Sequence, residues 1–332
     1  MSNRVILSHG TALKVARWAS LHGVEFERTR SCVVPEAPRH PSDVLAAVEA
    51  TDMPHRDLAQ RLLNEDCVHV LVGKRAGCRV NKRLVSHLCT GTLPRQPFVR
   101  IAEELYAAVP NLALCQKAAL EKDAVALLLL LWEACGTYQT SATGFAERYQ
   151  MTLVTTFRSL ALFVASNTTV RGARKIAWLL RYVSAYAASP REAQLALLLG
   201  LPLRYGGYNL GIPQMNWRVE AKGEARSIAR RSHFRCDLCW PEARIDVEYQ
   251  SREMHGGEEK RVNDSRRVNA LTEMGWTVVG VTGDELASIT ATDAIADALR
   301  KRLGKRACRV DEALLARRMQ LRSRLGLPTR WE

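Results

Sequence analysis

The order of apolar and polar positions divides the chain into stretches of different character. Residues 8–22, "SHGTALKVARWASLH", place Leu13, Val15, Ala16 and Ala19 at roughly helical spacing, which predicts a short helix started by Ser8 or Thr11. "DVLAAVEATD" and "HRDLAQRLL" predict further helical pieces, whereas "CVHVLVGKR", "RLVSHLC" and parts of "PFVRIAEELYAAVP" predict strands. Residues 1–110 are therefore expected to form a small α+β module. From 111 to 187 the spacing is helical, in "LCQKAALEKDAVALLLLLWEACGTY" and "GARKIAWLLRYVSAYA". The most apolar run, Ala124 to Trp132, is too short to span a bilayer and predicts a buried helix.

The remainder has sharper punctuation. "SPREAQLALLLG" has Ser189 at the N-cap, Pro190 at N1 and Glu192 at N3, a capping-box spacing, and Gly200 at its end. "GYNLGIPQMNWRV" predicts a strand, followed by a basic connection with Lys222, Arg226, Arg230 and Arg231. A hairpin over residues 233–250 comes next. "GGEEKRVNDSRRVNALTEMG" predicts a helix with Val262, Val268 and Leu271 inward, "WTVVGVT" a buried strand, and "GDELASITATDAIADALRKRLG" a closing helix. The expected fold class is α+β / α/β: an α+β module (1–110), a helical connecting region (111–187), a core ordered helix, three strands, helix, strand, helix (188–303), and a basic helical tail (304–332).

Within "HFRCDLCWPEARIDVEYQ" Pro241 marks the turn. Centring the hairpin between Glu242 and Ala243 pairs Trp240 with Ile245, Leu238 with Val247 and Asp237 with Glu248. Alternation gives a core face of Cys236, Leu238, Trp240, Ile245, Val247 and Tyr249. The opposite, polar face carries Arg235, Asp237, Cys239, Asp246, Glu248 and Gln250. Opposed like charges destabilise a sheet, and a hard divalent cation reverses that sign. The pattern thus admits two readings, a solvated acidic face or a pair of metal ligands, Asp237 and Glu248, for Mg²⁺ or Mn²⁺.

Composition adds an electrostatic expectation. With 48 Lys and Arg against 34 Asp and Glu, the formal net charge is +14. An anionic partner is implied, nucleic acid before a membrane surface. Residues 300–332 hold eleven Lys or Arg and three Asp or Glu, as either a solvated basic helix or a phosphate-contacting tail. The basic residues between 74 and 83 admit the same two readings. Nine cysteines without regular spacing suit reduced thiols in a cytoplasm. Cys236 and Cys239 form a CxxC whose side chains strand alternation sends to opposite faces, so zinc is not expected. The opening residues show no signal-peptide pattern, and no P-loop or Rossmann glycine pattern occurs.

The element order, with Asp237, Glu248 and Gln250 on one face, resembles the PD-(D/E)xK nuclease core. More narrowly, "SPREAQLALLLGLP", "RCDLCWPEARIDVEY", His255, "NDSRRVNAL" and "GWTVVGVT" resemble, in that order over residues 189–282, the domain related to very-short-patch-repair endonucleases. "SHGTAL" and "VHVLV" resemble, more faintly, an abortive-infection-type antitoxin module. The first resemblance implies metal binding by Asp237 and Glu248 and an acidic role for Glu192, which capping alone also explains. It implies proton transfer at His255, which otherwise is a loop histidine. Asp264 and Arg267 would support the site or meet phosphate, with Lys222, Arg226, Arg230, Arg231 and Arg235 on the DNA backbone. Gln250 departs from the pattern, which has Lys two residues after the acidic position. The implied activity is metal-dependent DNA cleavage. The competing expectation is an inactive DNA-binding regulator or antitoxin with a cognate toxin partner.

Overall fold

The computed structural model describes residues 4–29, 34, 46, 55–65, 67–75, 78, 83–250 and 258–331. The chain forms two compact units, Met1–Arg181 and Tyr182–Glu332. It is a mixed α+β protein, as expected from the alternation of strand-like and helix-like stretches.

The first unit contains β1 (Val5–Leu7), α1 (His9–Leu21), β2 (Glu27–Thr29), α2 (Arg56–Leu63), β3 (Val68–Val72), β4 (Leu84–Leu88), β5 (Phe98–Arg100) and β6 (Leu105–Ala108). It continues with α3 (Pro110–Leu120), α4 (Ala124–Ala134), the short pair β7 (Tyr138–Gln139) and β8 (Arg148–Tyr149), α5 (Phe157–Ser166) and α6 (Ala173–Leu179). Its main sheet runs β2-β5-β6-β1-β3-β4. β1 lies parallel to β6 and antiparallel to β3, and β3 is parallel to β4. The helices after residue 110 are part of this unit rather than a separate connection, because α3 packs on α1 and carries α6. The reason is apolar area: Leu112, Leu114, Leu127, Leu128 and Trp132 are at most 2% exposed, and burying such side chains is worth roughly 1.5–3 kcal/mol each. No described helix is long and apolar enough to cross a membrane.

The second unit contains α7 (Pro190–Gly200), β9 (Gln214–Glu220), α8 (Gly223–Ala229), β10 (His233–Trp240), β11 (Ile245–Gln250), α9 (Glu258–Glu273) and β12 (Thr277–Thr282). It ends with α10 (Gly283–Ala287), α11 (Ile289–Arg302) and α12 (Glu312–Arg324). The sheet order is β12-β11-β10-β9, with β9, β10 and β11 antiparallel and β11 parallel to β12. Three expectations change here. The basic connection folds as α8, whose Ala225 and Ala229 pack with Ala270 and Leu271 of α9. Val262 and Val268 of α9 are exposed, whereas Leu271 is buried as expected and is joined by Ala270. β12, expected to be buried, is a half-buried edge strand.

One side of the tail packs onto the unit, while Lys305, Arg306, Arg309, Arg324 and Arg330 stay exposed. α12 lies against the turn at Gly206, whose φ of +90° and proximity to the Arg317 carbonyl leave no room for a side chain. Arg318 is buried with its guanidinium 4.0 Å from the Tyr208 ring centroid and 2.6 Å from Asp293. Arg322 is fully buried and donates to the carbonyls of Ala287 and Pro328. Part of the tail's positive charge is thereby spent on internal carbonyl and carboxylate oxygens, and those arginines are closed to phosphate.

Candidate active site

The hairpin forms in the expected register, with Trp240 opposite Ile245 and Leu238 opposite Val247. Pro241–Ala243 makes one 3₁₀ turn, and Arg244 closes it at φ +52°. The ladder stops before Asp237 and Glu248, which are joined through side chains instead. The Asp237 amide donates to Glu248 Oε1 at 3.4 Å, and the Tyr249 amide donates to Asp237 Oδ2 at 3.2 Å. Both carboxyl groups therefore lie on one side of the sheet.

Glu192 completes the group. Ser189 caps α7 by accepting from the Glu192 amide at 3.2 Å. The Glu192 carboxylate reaches beyond the capping-box partner, accepting from the Ala188 amide and from the Ser189 hydroxyl, each at 2.9 Å. Burial raises the affinity of Glu192 for its proton, and the charge of Glu248 adds to it. Asp237 is pushed up to about 8, first by burial, then by Glu248 and Glu192. Like charges gathered in a low-dielectric setting disfavour ionisation of one another.

Asp246 belongs to this group as well. It is fully buried, and its Oδ1 has no hydrogen-bond donor of ordinary type among the described residues. Burial first and Glu248 second push it strongly toward the protonated form. A protonated Asp246 can donate to Glu248, which is itself held below the usual carboxylate range despite burial, chiefly by Arg267. Alternation puts Asp246 on the face of Asp237 and Glu248, as expected, but at Asp246 that face is enclosed rather than solvated.

Arg267 is the counter-charge. Its guanidinium reaches both Glu248 oxygens, Asp246 Oδ2 at 3.3 Å and the Arg235 carbonyl. Two parallel N–H···O contacts to one carboxylate are the strong, directional form of this interaction. The role of Arg267 is thus to support the acidic group.

The CxxC departs from expectation. Cys236 and Cys239 are both fully buried, and their thiols meet, a contact that leads burial in raising the Cys236 thiol pKa. Asn216, in the β9 position between the partners of Cys236 and Leu238, has φ +49° and lies where regular pairing would face Asp237. The regular alternation of β10 is broken at that point. None of the described cysteines is in a disulfide. Asn216 also donates to the Tyr186 carbonyl at 2.7 Å and lies within hydrogen-bonding reach of Glu192; no sequence signal marked it.

The other expected residues are distributed less tightly. Gln250 ends β11 opposite Thr282, exposed, with its amide over Gly280. Asp264 is exposed on α9. Lys222, Arg226, Arg230, Arg231 and Arg235 are all exposed along the segment from β9 to β10. His255 lies outside the described residues, as do Arg79 and Lys82 of the basic 74–83 segment.

The class defined by these observations is a mixed α+β protein with a cluster of carboxyl groups held around one arginine. Among known proteins, the chain is 29% identical over 126 residues to two Mycobacterium tuberculosis proteins described as uncharacterized, one from strain CDC 1551 / Oshkosh and one from strain ATCC 25618 / H37Rv. The match covers 37% of this chain and 41% of each relative, so the chain spans less than half the length of the curated relatives it matches. No family model matches the chain, and no solved structure matches it.

Proposed function

We propose that the second unit is a metal-dependent DNA endonuclease of the very-short-patch-repair-like PD-(D/E)xK type. The observation that carries this reading is the convergence of Glu192, Asp237 and Glu248, the three acidic positions that the resemblance singles out, into one electrostatically coupled group. The donor set suits Mg²⁺ or Mn²⁺: Asp237 and Glu248 present hard oxygen donors, and Arg267 offsets only one of the gathered negative charges. Among the described residues, no set of three or more ligands is already arranged around a common point. The fit therefore rests on Asp237 and Glu248, the remaining positions belonging to phosphate and water.

When bound, such a cation supplies an activated water and charge stabilisation on the phosphate. The chain's own residues do the rest. Asp237, whose carboxyl is pushed up to about 8, is the group that releases a proton as positive charge approaches. Arg267 orients Glu248 through both of its oxygens. Lys222, Arg226, Arg230, Arg231 and Arg235 supply exposed positive charge for the DNA backbone, which makes affinity salt-dependent.

A second reading is an inactive DNA-binding regulator or antitoxin, acting with a cognate toxin. Two observations favour it: Arg267 already occupies both Glu248 oxygens, and Gln250 stands where the active pattern has Lys. Incubation of supercoiled plasmid with the full chain and Mg²⁺ or Mn²⁺, beside Asp237→Ala and Glu248→Ala, separates the two. The nuclease reading expects nicking that both substitutions abolish. Metal-independent DNA binding with no cleavage in either metal rejects it in favour of the regulator.

A further inference from the structure

The first unit holds a feature that DNA cleavage leaves unused. His9 on α1, His69 on β3 and His87 on β4 form a stack, with ring centroids 3.7 Å apart for His9 and His87 and 5.1 Å for His69 and His87. His69 Nδ1 and His87 Nε2 share a hydrogen bond of 2.8 Å, and His9 Nδ1 lies 2.9 Å from the buried Ser8 hydroxyl. His9 is only 4% exposed and has φ +51°. A non-glycine residue held there is strained, and such strain clusters at functional positions.

His9 and His87 line a cavity of about 220 Å³. Its lining is largely apolar, including Leu71, Leu112 and Val170, and also includes Arg171. No carboxylate is among its described lining residues. Lys117 on α3 bears electrostatically on all three rings, and Lys14 on α1, paired with Glu65, bears on His69. The surroundings are thus positive, and the volume is below the range typical of drug-sized ligands. A shared transition metal is a poor fit, because His9 and His87 meet ring face to ring face rather than directing nitrogens at one point.

We propose that this cavity is a binding site for a small organic carboxylate with an apolar body. The body packs on Leu71, Leu112 and Val170, and the charge lies against the His9–His87 pair within the field of Lys117 and Arg171. Burial keeps His9 and His87 neutral, at about 2 and about 4 respectively, with the neighbouring cations adding to the effect. An anion alongside favours the imidazolium, so binding tightens as pH falls toward those values.

Calorimetric titration of the full chain with benzoate, at about pH 5 and about pH 7, tests this. Benzamide and benzylamine serve as neutral and cationic probes of the same shape. Benzoate should bind about tenfold or more tightly than benzamide, more tightly at the lower pH, and benzylamine should not bind. Gly91→Trp should weaken binding without unfolding the chain, because Gly91 lines the cavity and an added Cβ meets no atom within 4 Å. Arg171→Gln should weaken it several-fold, with the thermal midpoint of both variants unchanged. Equal affinity for benzamide and benzoate, unchanged affinity in Arg171→Gln, or no benzoate binding at millimolar concentration would overturn the proposal. None of these outcomes depends on the nuclease reading.

Discussion

Around His9 in the first unit, three imidazoles sit in the field of two lysines; around Glu248 in the second, the carboxyl groups of Asp246, Asp237 and Glu192 crowd a carboxylate that one arginine grips. Burial drives both sets toward the neutral form, but the remedies differ. The imidazoles lose their charge, stack, and share hydrogen bonds as neutral rings. The carboxyl groups divide: Asp246 and Asp237 hold protons, while Glu248 stays ionised because Arg267 grips it. The difference comes from the counter-charge. A cluster with no opposite charge within reach can only neutralise itself, whereas one built around a guanidinium keeps an ion and forces its neighbours to give way.

The largest expected effect comes from removing that guanidinium. Arg267→Met leaves Glu248 charged and Asp246 half satisfied, and should cost about 3–5 kcal/mol in urea unfolding. Adding Glu248→Gln should return part of the loss. Equal stability of Arg267→Met and the parent chain would mean that the carboxyl groups need no counter-charge.

Asp237 sharpens the comparison through pH. Its folded pKa of about 8 lies above the unfolded value near 3.9. The folded state then binds more protons between those pH values, so this contribution to stability is complete below about pH 4 and is lost as pH rises through about 8. Asp237→Asn should raise stability at pH 8 by about 1 kcal/mol or more, since each pKa unit corresponds to about 1.4 kcal/mol, and leave it nearly unchanged at pH 4. Millimolar Mg²⁺ should raise the melting temperature of the parent chain and not that of the variant.

The histidines predict the opposite slope. Folded values of about 2 and about 4 lie below the unfolded value near 6.5. The unfolded chain then binds more protons, so the stability of the first unit is complete above about pH 6.5 and falls as pH drops toward 4. His87→Gln should flatten that slope, as read from melting midpoints between pH 4 and 7. A single common pH dependence for the unfolding of both units would contradict the contrast.

Ser189→Ala should have the smallest effect, about 1 kcal/mol, through loss of the α7 cap. Glu192 would lose its hydroxyl donor as well, and plasmid nicking, if present, should fall only a few-fold.

Local signals in the sequence determined much of this protein. Ser189 and Pro190 begin α7, Pro241 sets the hairpin register, and the alternation of β10 and β11 brings Asp237 and Glu248 to one side, because caps, turns and pleats depend on neighbours a few residues apart. Tertiary structure decided what those residues mean electrostatically. The burial of Asp246, the grip of Arg267 across from α9, the meeting of Cys236 with Cys239 past an irregular Asn216, and the enclosure of Arg318 and Arg322 all depend on partners distant in the chain. The histidine stack likewise joins positions 9, 69 and 87 through parallel and antiparallel strands whose pairing no local spacing records. A pKa and an enclosed charge are properties of surroundings, and surroundings exist only once the chain has folded.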